Sequence, residues 1–591
     1  MNKSYDAVVI GAGHAGIEAA MALAKKGHNT LMITMSLHSI GFMACNPNIG
    51  GTAKGHLVKE IDALGGVMGI VADKATIQTR MLNLANGPAV HSLRNQVDKS
   101  RYQTIMKYKL ETQNNLTLLE GEAIKILHEN GKITGIVTAL GEVFETRAVI
   151  LATGVYLDSS IIIGDYVKDI GPAGFQRADS LTKSLLEMDL PIRRFKTGTP
   201  PRVLKSSLDL SKMEEQRGDK DIHPFSEDTD FDVKNSLPCY LTYTNLETHK
   251  LVLDNLDRSP LYNGSIKSAG PRYCPAVEVK IVRFKDKERH QVFIEPEGED
   301  TDEMYVQGLS TSMPYDIQEK MVHSIKGLEN AKIMRYGYAI EYDCIDPLAL
   351  FPTLNVIAYK GLYAAGQING SSGYEEAAAQ GLIAGINAAL YLEGKPEIVI
   401  KRDMAYIGVL IDDLVTKGTE EPYRMMTSRA EHRLHLRQDN ADIRLTELGH
   451  EIGLITEKRY AKFLAKLQKK EEIKKMLSKH YSPQDCEIIF ASKNQPIPKS
   501  GISGRDILKR NGIDYLDLIK IDPLLGEGEN LLLSQLETEI KYEGYLEKQE
   551  KAIKEMQKME NKALSANLDY DKIDTLRIEA RQKLNKIKPL T

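Results

Sequence analysis

Residues Gly11-Ala12-Gly13-His14-Ala15-Gly16 stand between an apolar run at 6–10 and a helical pattern that continues through Ala24 and Lys25 to Gly27. Residues 30–34 then read as a second strand. Each glycine has a physical task in such a strand–turn–helix–strand unit. Gly11 permits the tight turn, Gly13 lets backbone approach a pyrophosphate, and Gly16 lets the helix pack closely on the strand. The helix then presents free N–H groups to the phosphates. Two more apolar strands end the same way. Residues 148–152 lead into Thr153-Gly154, and 361–365 lead into Gly366-Gln367 and a helix over about 375–392. The predicted fold is therefore α/β, with a doubly wound Rossmann-type domain and a long ligand spread across the strand ends. FAD suits that spread better than NAD alone. The acid that usually grips a ribose after the second strand is replaced by Thr34-Met35-Ser36, so another polar group must serve.

At 591 residues the sequence is too long for one core. The pattern assigns 1–199 and 335–400 to a discontinuous FAD-binding domain. It assigns 200–334 to an inserted mixed α/β domain, rich in proline and tyrosine with alternating runs such as 291–295. The remainder, 401–591, reads as an all-helical C-terminal domain. Composition is that of a globular protein, with 42% hydrophobic and 27% charged residues. No apolar run is long enough to span a bilayer, and no leader pattern precedes the first strand, so the expected location is the cytoplasm, away from membranes. The five cysteines, Cys45, Cys239, Cys274, Cys344 and Cys486, are too dispersed for a zinc cluster or a C-x-x-C redox motif. No metal site is expected.

Net charge is −4, so nucleic-acid binding would need cations gathered on one face. Two stretches gather them. One runs from Arg193 through Arg194 and Lys196 to Arg202 without an acid. The other holds Arg424, Arg429, Arg433 and Arg437, the last three spaced by four as on one helix face. Either these bind RNA or they are solvated faces with ion pairs.

Three blocks carry a resemblance. They are Cys45-Asn-Pro-Asn-Ile-Gly-Gly-Thr-Ala-Lys54-Gly-His56-Leu-Val-Lys59-Glu60-Ile-Asp62, the run 270–284, and the run 365–381 with Tyr374-Glu375-Glu376. With Lys196-Thr-Gly-Thr-Pro-Pro-Arg202, residues 337–343 and 421–431, they cover nearly the whole sequence, which resembles the MnmG (GidA) family of tRNA-modification flavoproteins. The resemblance implies FAD as cofactor and NADH as reductant. It implies a homodimer working with the GTPase MnmE and a folate-derived carbon. The product would be a carboxymethylaminomethyl or aminomethyl group on C5 of wobble uridine 34. It assigns Gly11 to Gly16, Ala123 and Gln367 to FAD. It assigns Gly270, Pro271, Arg272, Tyr273, Cys274, Pro275, Ala276, Val277, Glu278, Val279, Lys280, Ile281, Val282, Arg283 and Phe284 to the nicotinamide cofactor, and Cys45 and Cys274 to catalysis. The family's small helical tail, used to dock the GTPase, is expected to begin close to Thr591, where this sequence ends.

The chemistry asks for a thiol. C5 of uracil is a poor nucleophile, and a thiolate added at C6 makes an enolate-like carbon there. Cys45 has Lys54 and Lys59 near in sequence, and Cys274 has Arg272, Lys280 and Arg283. Either could be the nucleophile, and a buried inert thiol is the plain alternative. Glu60 and Asp62 read as proton-transfer groups or as helix-surface carboxylates. Two other functions are carried. One is a folate-dependent tRNA uridine C5-methyltransferase flavoprotein, against which the long helical C-terminal region and the 270–284 block argue. The other is a non-catalytic flavin-bearing RNA-binding regulator.

Overall fold

The computed structural model describes residues 3–273, 275–526, 530–560, 562–565, 567–587 and 589. The chain divides into two compact units, Met1–Ala465 and Lys466–Thr591.

At the centre of the first unit is a five-stranded parallel sheet made of β1 (Ala7–Ile10), β2 (Thr30–Thr34), β3 (Leu116–Glu120), β4 (Ala148–Leu151) and β5 (Leu362–Ala364). The strand order is β5-β4-β1-β2-β3. The sequence departs from β1 toward β2 and returns on its other side at β4. The order therefore reverses at the end of β1, where doubly wound sheets open a crevice. Strands β1, β2, β4 and β5 are buried throughout, which is why they are written as unbroken apolar runs rather than alternating ones.

Helix α1 (His14–Lys25) follows β1, and α3 (Tyr374–Leu392) follows β5; between them in sequence lies α2 (Lys54–Ala63). Small residues set how closely α1 and α3 approach. A Cβ on Gly381 would lie 2.0 Å from the Ala15 carbonyl oxygen, and one on Gly385 would lie 2.6 Å from that of Ala19. Spacing of four in both helices puts these contacts on facing stripes. Gly16 is similarly closed in, its missing Cβ falling 1.9 Å from the Gly11 oxygen.

A second sheet pairs Ile192–Thr199 with Tyr338–Ile345 antiparallel along their whole lengths, flanked by Ser160–Ile163 and Tyr166–Lys168. The segment between builds a six-stranded sheet in which Gln291–Pro296 and Glu303–Gln307 are neighbours, over a core that includes Val203, Ile294, Val306 and Met321. The alternating run at 291–295 is thus an interior strand of this sheet.

Residues 401–465 were expected to open the C-terminal helical domain, but they belong to the first unit. Helix α4 (Tyr406–Asp412) begins on Glu60, whose buried carboxylate accepts from the N–H groups of Tyr406 and Ile407 at 3.0 Å and pairs with Arg444 at 2.9 Å. Asp62 is also buried and pairs with Arg459 at 2.7 Å. Neither carboxylate is on a helix surface, and both are occupied as structural anchors. The arginine run is not helical. Thr427–Arg429 is a single 3₁₀ turn and 430–437 holds no α-helix, so Arg429, Arg433 and Arg437 share no helix face.

The second unit is helical, including Pro483–Ser492, Asn530–Lys541, Glu543–Glu560 and Ile578–Ile587, with a core of its own that includes Ile473, Phe490, Leu518 and Leu536. Ser482 and Asp514 each start a helix with a reciprocal capping box. Among the described residues no helix is long and apolar enough to cross a membrane.

Candidate cofactor cavity and thiol site

The ends of β1, β2, β4 and β5 surround one cavity of about 200 Å³. Gly11, Ala12, Gly13, His14 and Ala15 line it, and so do Ala123, Thr153, Gly154, Gly366 and Gln367. Residues separated by more than 350 positions in sequence thus share one wall, because parallel strands place all their carboxyl ends on the same edge. Gly16 is not part of that wall, since it serves the α1–β1 contact. The glycines divide by role. Gly11 has φ +106°, and a Cβ there would strike the Ala152 carbonyl oxygen at 2.2 Å. Gly13 has ordinary φ, and a Cβ there would meet nothing within 4 Å, so its openness serves what occupies the cavity.

The wall suits an anionic dinucleotide. The first turn of α1 carries no acidic residue, which leaves its N–H groups and positive dipole end to a phosphate. His14 Nε2 and Thr153 Oγ1 are buried, line the cavity and have no hydrogen-bond partner within the protein. Burial pushes the His14 imidazole down to about 4, so it is neutral at pH 7 and can donate one N–H. At the β2 end, Thr34, Ser36, Ser39 and Glu122 supply the polar groups where the ribose acid is lacking. Glu122 is held above the usual carboxylate range, by burial first and by Asp179 second. A single Ser or Glu in a loop carries no sequence signal, so Ser39 and Glu122 could be found only in the fold.

Cys45 adjoins this cavity. Its neighbour Ala44 lines the wall, as does Tyr374, whose hydroxyl accepts the Cys45 N–H at 2.8 Å. The Cys45 carbonyl accepts from Lys99 Nζ at 3.0 Å and from Arg202 Nη2 at 3.2 Å. Its Sγ lies 3.0 Å from the Tyr305 hydroxyl. Lys54 and Lys59 are not the cations beside it. Lys54 is bound to Glu375 at 2.7 Å, and Lys59 faces Glu227 at 3.7 Å. The positive groups come instead from Lys99 and Arg202, both bonded to Glu297, at 2.9 Å and 3.1 Å. Against the cost of burial, these two cations hold Glu297 below the usual carboxylate range.

Cys274 lies outside the described residues. Of its neighbours, Gly270, Pro271, Arg272, Pro275, Ala276, Val279 and Arg283 line a separate cavity of about 110 Å³ with Lys196 and Glu421. Val277–Arg283 is a short helix, so side chains alternate between that cavity and the core. Val277, Glu278 and Ile281 are buried, Lys280 bonds the Gly308 carbonyl, and Tyr273, Val282 and Phe284 are exposed.

Among the cations read as an RNA face, Arg202 and Arg437 are 5% and 1% exposed and paired with Glu297 and Asp439, and Lys196 is buried in the wall of the second cavity. None of these three is on the surface to meet a phosphate backbone. Arg433 is exposed, and Arg194, Arg424 and Arg429 are partly so. Arg194 is bonded to Asp343 at 2.7 Å, and Arg429 lies over the Tyr423 ring at 4.2 Å.

A parallel sheet whose glycine turns meet at one cavity, with a half-buried thiol at its margin, defines a dinucleotide-dependent α/β enzyme. A family model described as glucose inhibited division protein A matches residues 6–396. Two described as the MnmG/GidA C-terminal helical domain and helical bundle match 457–550 and 552–591. A Clostridium kluyveri protein named tRNA uridine 5-carboxymethylaminomethyl modification enzyme MnmG is 56% identical, over 100% of this chain and 94% of that protein. One of the same name from Caldicellulosiruptor saccharolyticus is 54% identical, over 99% and 94%. The solved structure of Aquifex aeolicus GidA in its form II crystal is 42% identical and superposes with a TM-score of 0.89, over 100% of this chain and 95% of that one. This chain belongs to the MnmG/GidA family, whose cofactor is FAD. The tail bundle, expected to begin near the last residue, is matched from residue 552.

Proposed function

We propose that this chain is a flavin-dependent tRNA-modifying enzyme that builds a carboxymethylaminomethyl or aminomethyl group on C5 of wobble uridine 34. The family and its curated members support this over a C5-methyltransferase or a regulator without turnover. The observation that carries the reading at this chain's own residues is the half-buried Cys45 thiol bordering the strand-end cavity through Ala44 and Tyr374.

Gly11 to Ala15, Ala123, Thr153, Gly154, Gly366 and Gln367 hold FAD, and Gly16 keeps α1 close enough for them to do so. When bound, reduced FAD supplies a hydride for the one-carbon unit, with NADH as the reductant. The second cavity, on the 270–284 segment, takes the nicotinamide cofactor. The Cys45 thiolate adds to C6 of the uracil, making C5 nucleophilic toward the folate-derived carbon, while glycine or ammonia supplies the amine that the same carbon carries. Loss of the C5 proton and expulsion of the thiolate then restore the ring. Cys274 serves the same chemistry. Arg433, with Arg194, Arg424 and Arg429, meets the tRNA backbone. The enzyme works in the cytoplasm as a homodimer with an MnmE-type GTPase.

The test is the nucleoside profile at tRNA position 34 in cells lacking their own enzyme. This chain is expected to restore the modified uridine. Cys45→Ser is expected to lower it at least ~100-fold while leaving flavin content unchanged. An unaltered profile with the wild-type chain overturns the reading.

A further inference from the structure

Cys45 is held at every polar atom: Tyr374 takes its N–H, Lys99 and Arg202 take its carbonyl, and Tyr305 meets its sulfur. Tyr305 stands on the interior strand Glu303–Gln307 and is itself buried, so its hydroxyl reaches Sγ from a fixed backbone. The Arg202 guanidinium lies over its ring, 4.9 Å from the centroid. A cation on the π face draws electron density from the phenol and makes its hydroxyl a better donor.

The charges around the pair leave room for one more anion. Lys99 and Arg202 share one carboxylate, that of Glu297. Glu303 is bound by Arg335 at 2.9 Å, and Glu295 faces Arg94 at 3.9 Å. Besides Tyr305, the Gly198 carbonyl oxygen faces the sulfur at 3.9 Å, and burial holds the nearby Tyr374 and Tyr338 phenols above their usual range. Lys99 and Arg202 together carry one positive charge more than Glu297 offsets, on the side of the Cys45 carbonyl.

We propose that Tyr305 is the positioning residue of the Cys45 thiolate, its hydroxyl donating a hydrogen bond to Sγ once the thiol has ionised. The proton goes to solvent on the open side of the half-buried cysteine. The proposal rests on reading Cys45 as the reacting thiol, but its physical content is a property of Cys45 alone.

The experiment is alkylation of the flavin-loaded protein by iodoacetamide across pH, followed on the Cys45-bearing peptide by mass spectrometry. In Tyr305→Phe the midpoint is expected to rise by about one pH unit, the size of one hydrogen bond to a charged group. Alkylation at pH 7 is expected to slow ~3- to 10-fold. Should the Phe variant lose flavin and so report misfolding, 3-fluorotyrosine placed at 305 decides. A stronger donor lowers the midpoint. A midpoint that stays put in the folded variant, or falls in Tyr305→Phe, overturns the proposal. If the midpoint rises while Cys45→Ser still yields modified uridine, the contact stands and the assignment of Cys45 to catalysis falls.

Discussion

Gly11 and Gly13 look alike in the sequence, two residues apart in one motif, yet they answer to different demands. Gly11→Ala places a side chain at φ +106° and 2.2 Å from a carbonyl oxygen, so loss of stability is expected, on the order of 2 kcal/mol or more. Gly13→Ala fills only open cavity. Its melting temperature without cofactor should match the wild type, while flavin absorbance in the purified protein is lost. His56 poses a separate question of charge. It is fully buried, and its ring lies 4.7 Å from that of Tyr406. Burial, and then the Arg444 charge, push it down to about 4. The unfolded chain therefore binds the extra proton. Stability present above about pH 6.5 is lost as pH falls toward 4, on the order of 3 kcal/mol. Glu18 runs the other way. Burial raises it to about 7, so its contribution is full below its unfolded value and fades as pH climbs through 7. Subtracting wild type from His56→Phe isolates the histidine. The variant should retain more of its pH 7.5 melting temperature at pH 5 than the parent does.

At the scale of elements, the sheet was legible because buried parallel strands leave unbroken apolar runs. The apolar runs at 6–10, 30–34, 148–152 and 361–365 predict strands, and these lie at Ala7–Ile10, Thr30–Thr34, Ala148–Leu151 and Leu362–Ala364. Helix α3 was placed equally well. What the pattern did not convey is the contact between α1 and α3, made backbone to backbone through Gly381 and Gly385. Gly381→Ala should force the two helices apart, costing ~1–3 kcal/mol in urea unfolding and loosening the flavin with it. The arginine run at 424–437 misled for the opposite reason. Spacing of four suggests a helix, but Arg402 bonds Glu431, Asp412, Asp413 and the Arg429 carbonyl, and these contacts hold the segment in turns.

For the whole molecule, the division falls after Ala465 rather than at 400, because Glu60 and Asp62 anchor Tyr406, Arg444 and Arg459 to the first unit. Every residue lining the strand-end cavity precedes position 378. A fragment ending at Ala465 is accordingly expected to bind FAD at the stoichiometry of the intact chain, measured by absorbance after gel filtration. Loss of flavin from a folded fragment would mean that the second unit supports the cavity.

The amino-acid sequence by itself determined the parallel sheet, the three glycine turns and the family, since these depend on local backbone demands and on long, specific motifs. Only the tertiary structure decided which charges stand beside Cys45. Lys99, Arg202, Glu297 and Tyr305 come from distant stretches, and an ion pair or a thiol–phenol contact imposes no periodicity on the sequence that makes it. Proximity in sequence pointed instead to Lys54 and Lys59, whose helix turns them toward other carboxylates.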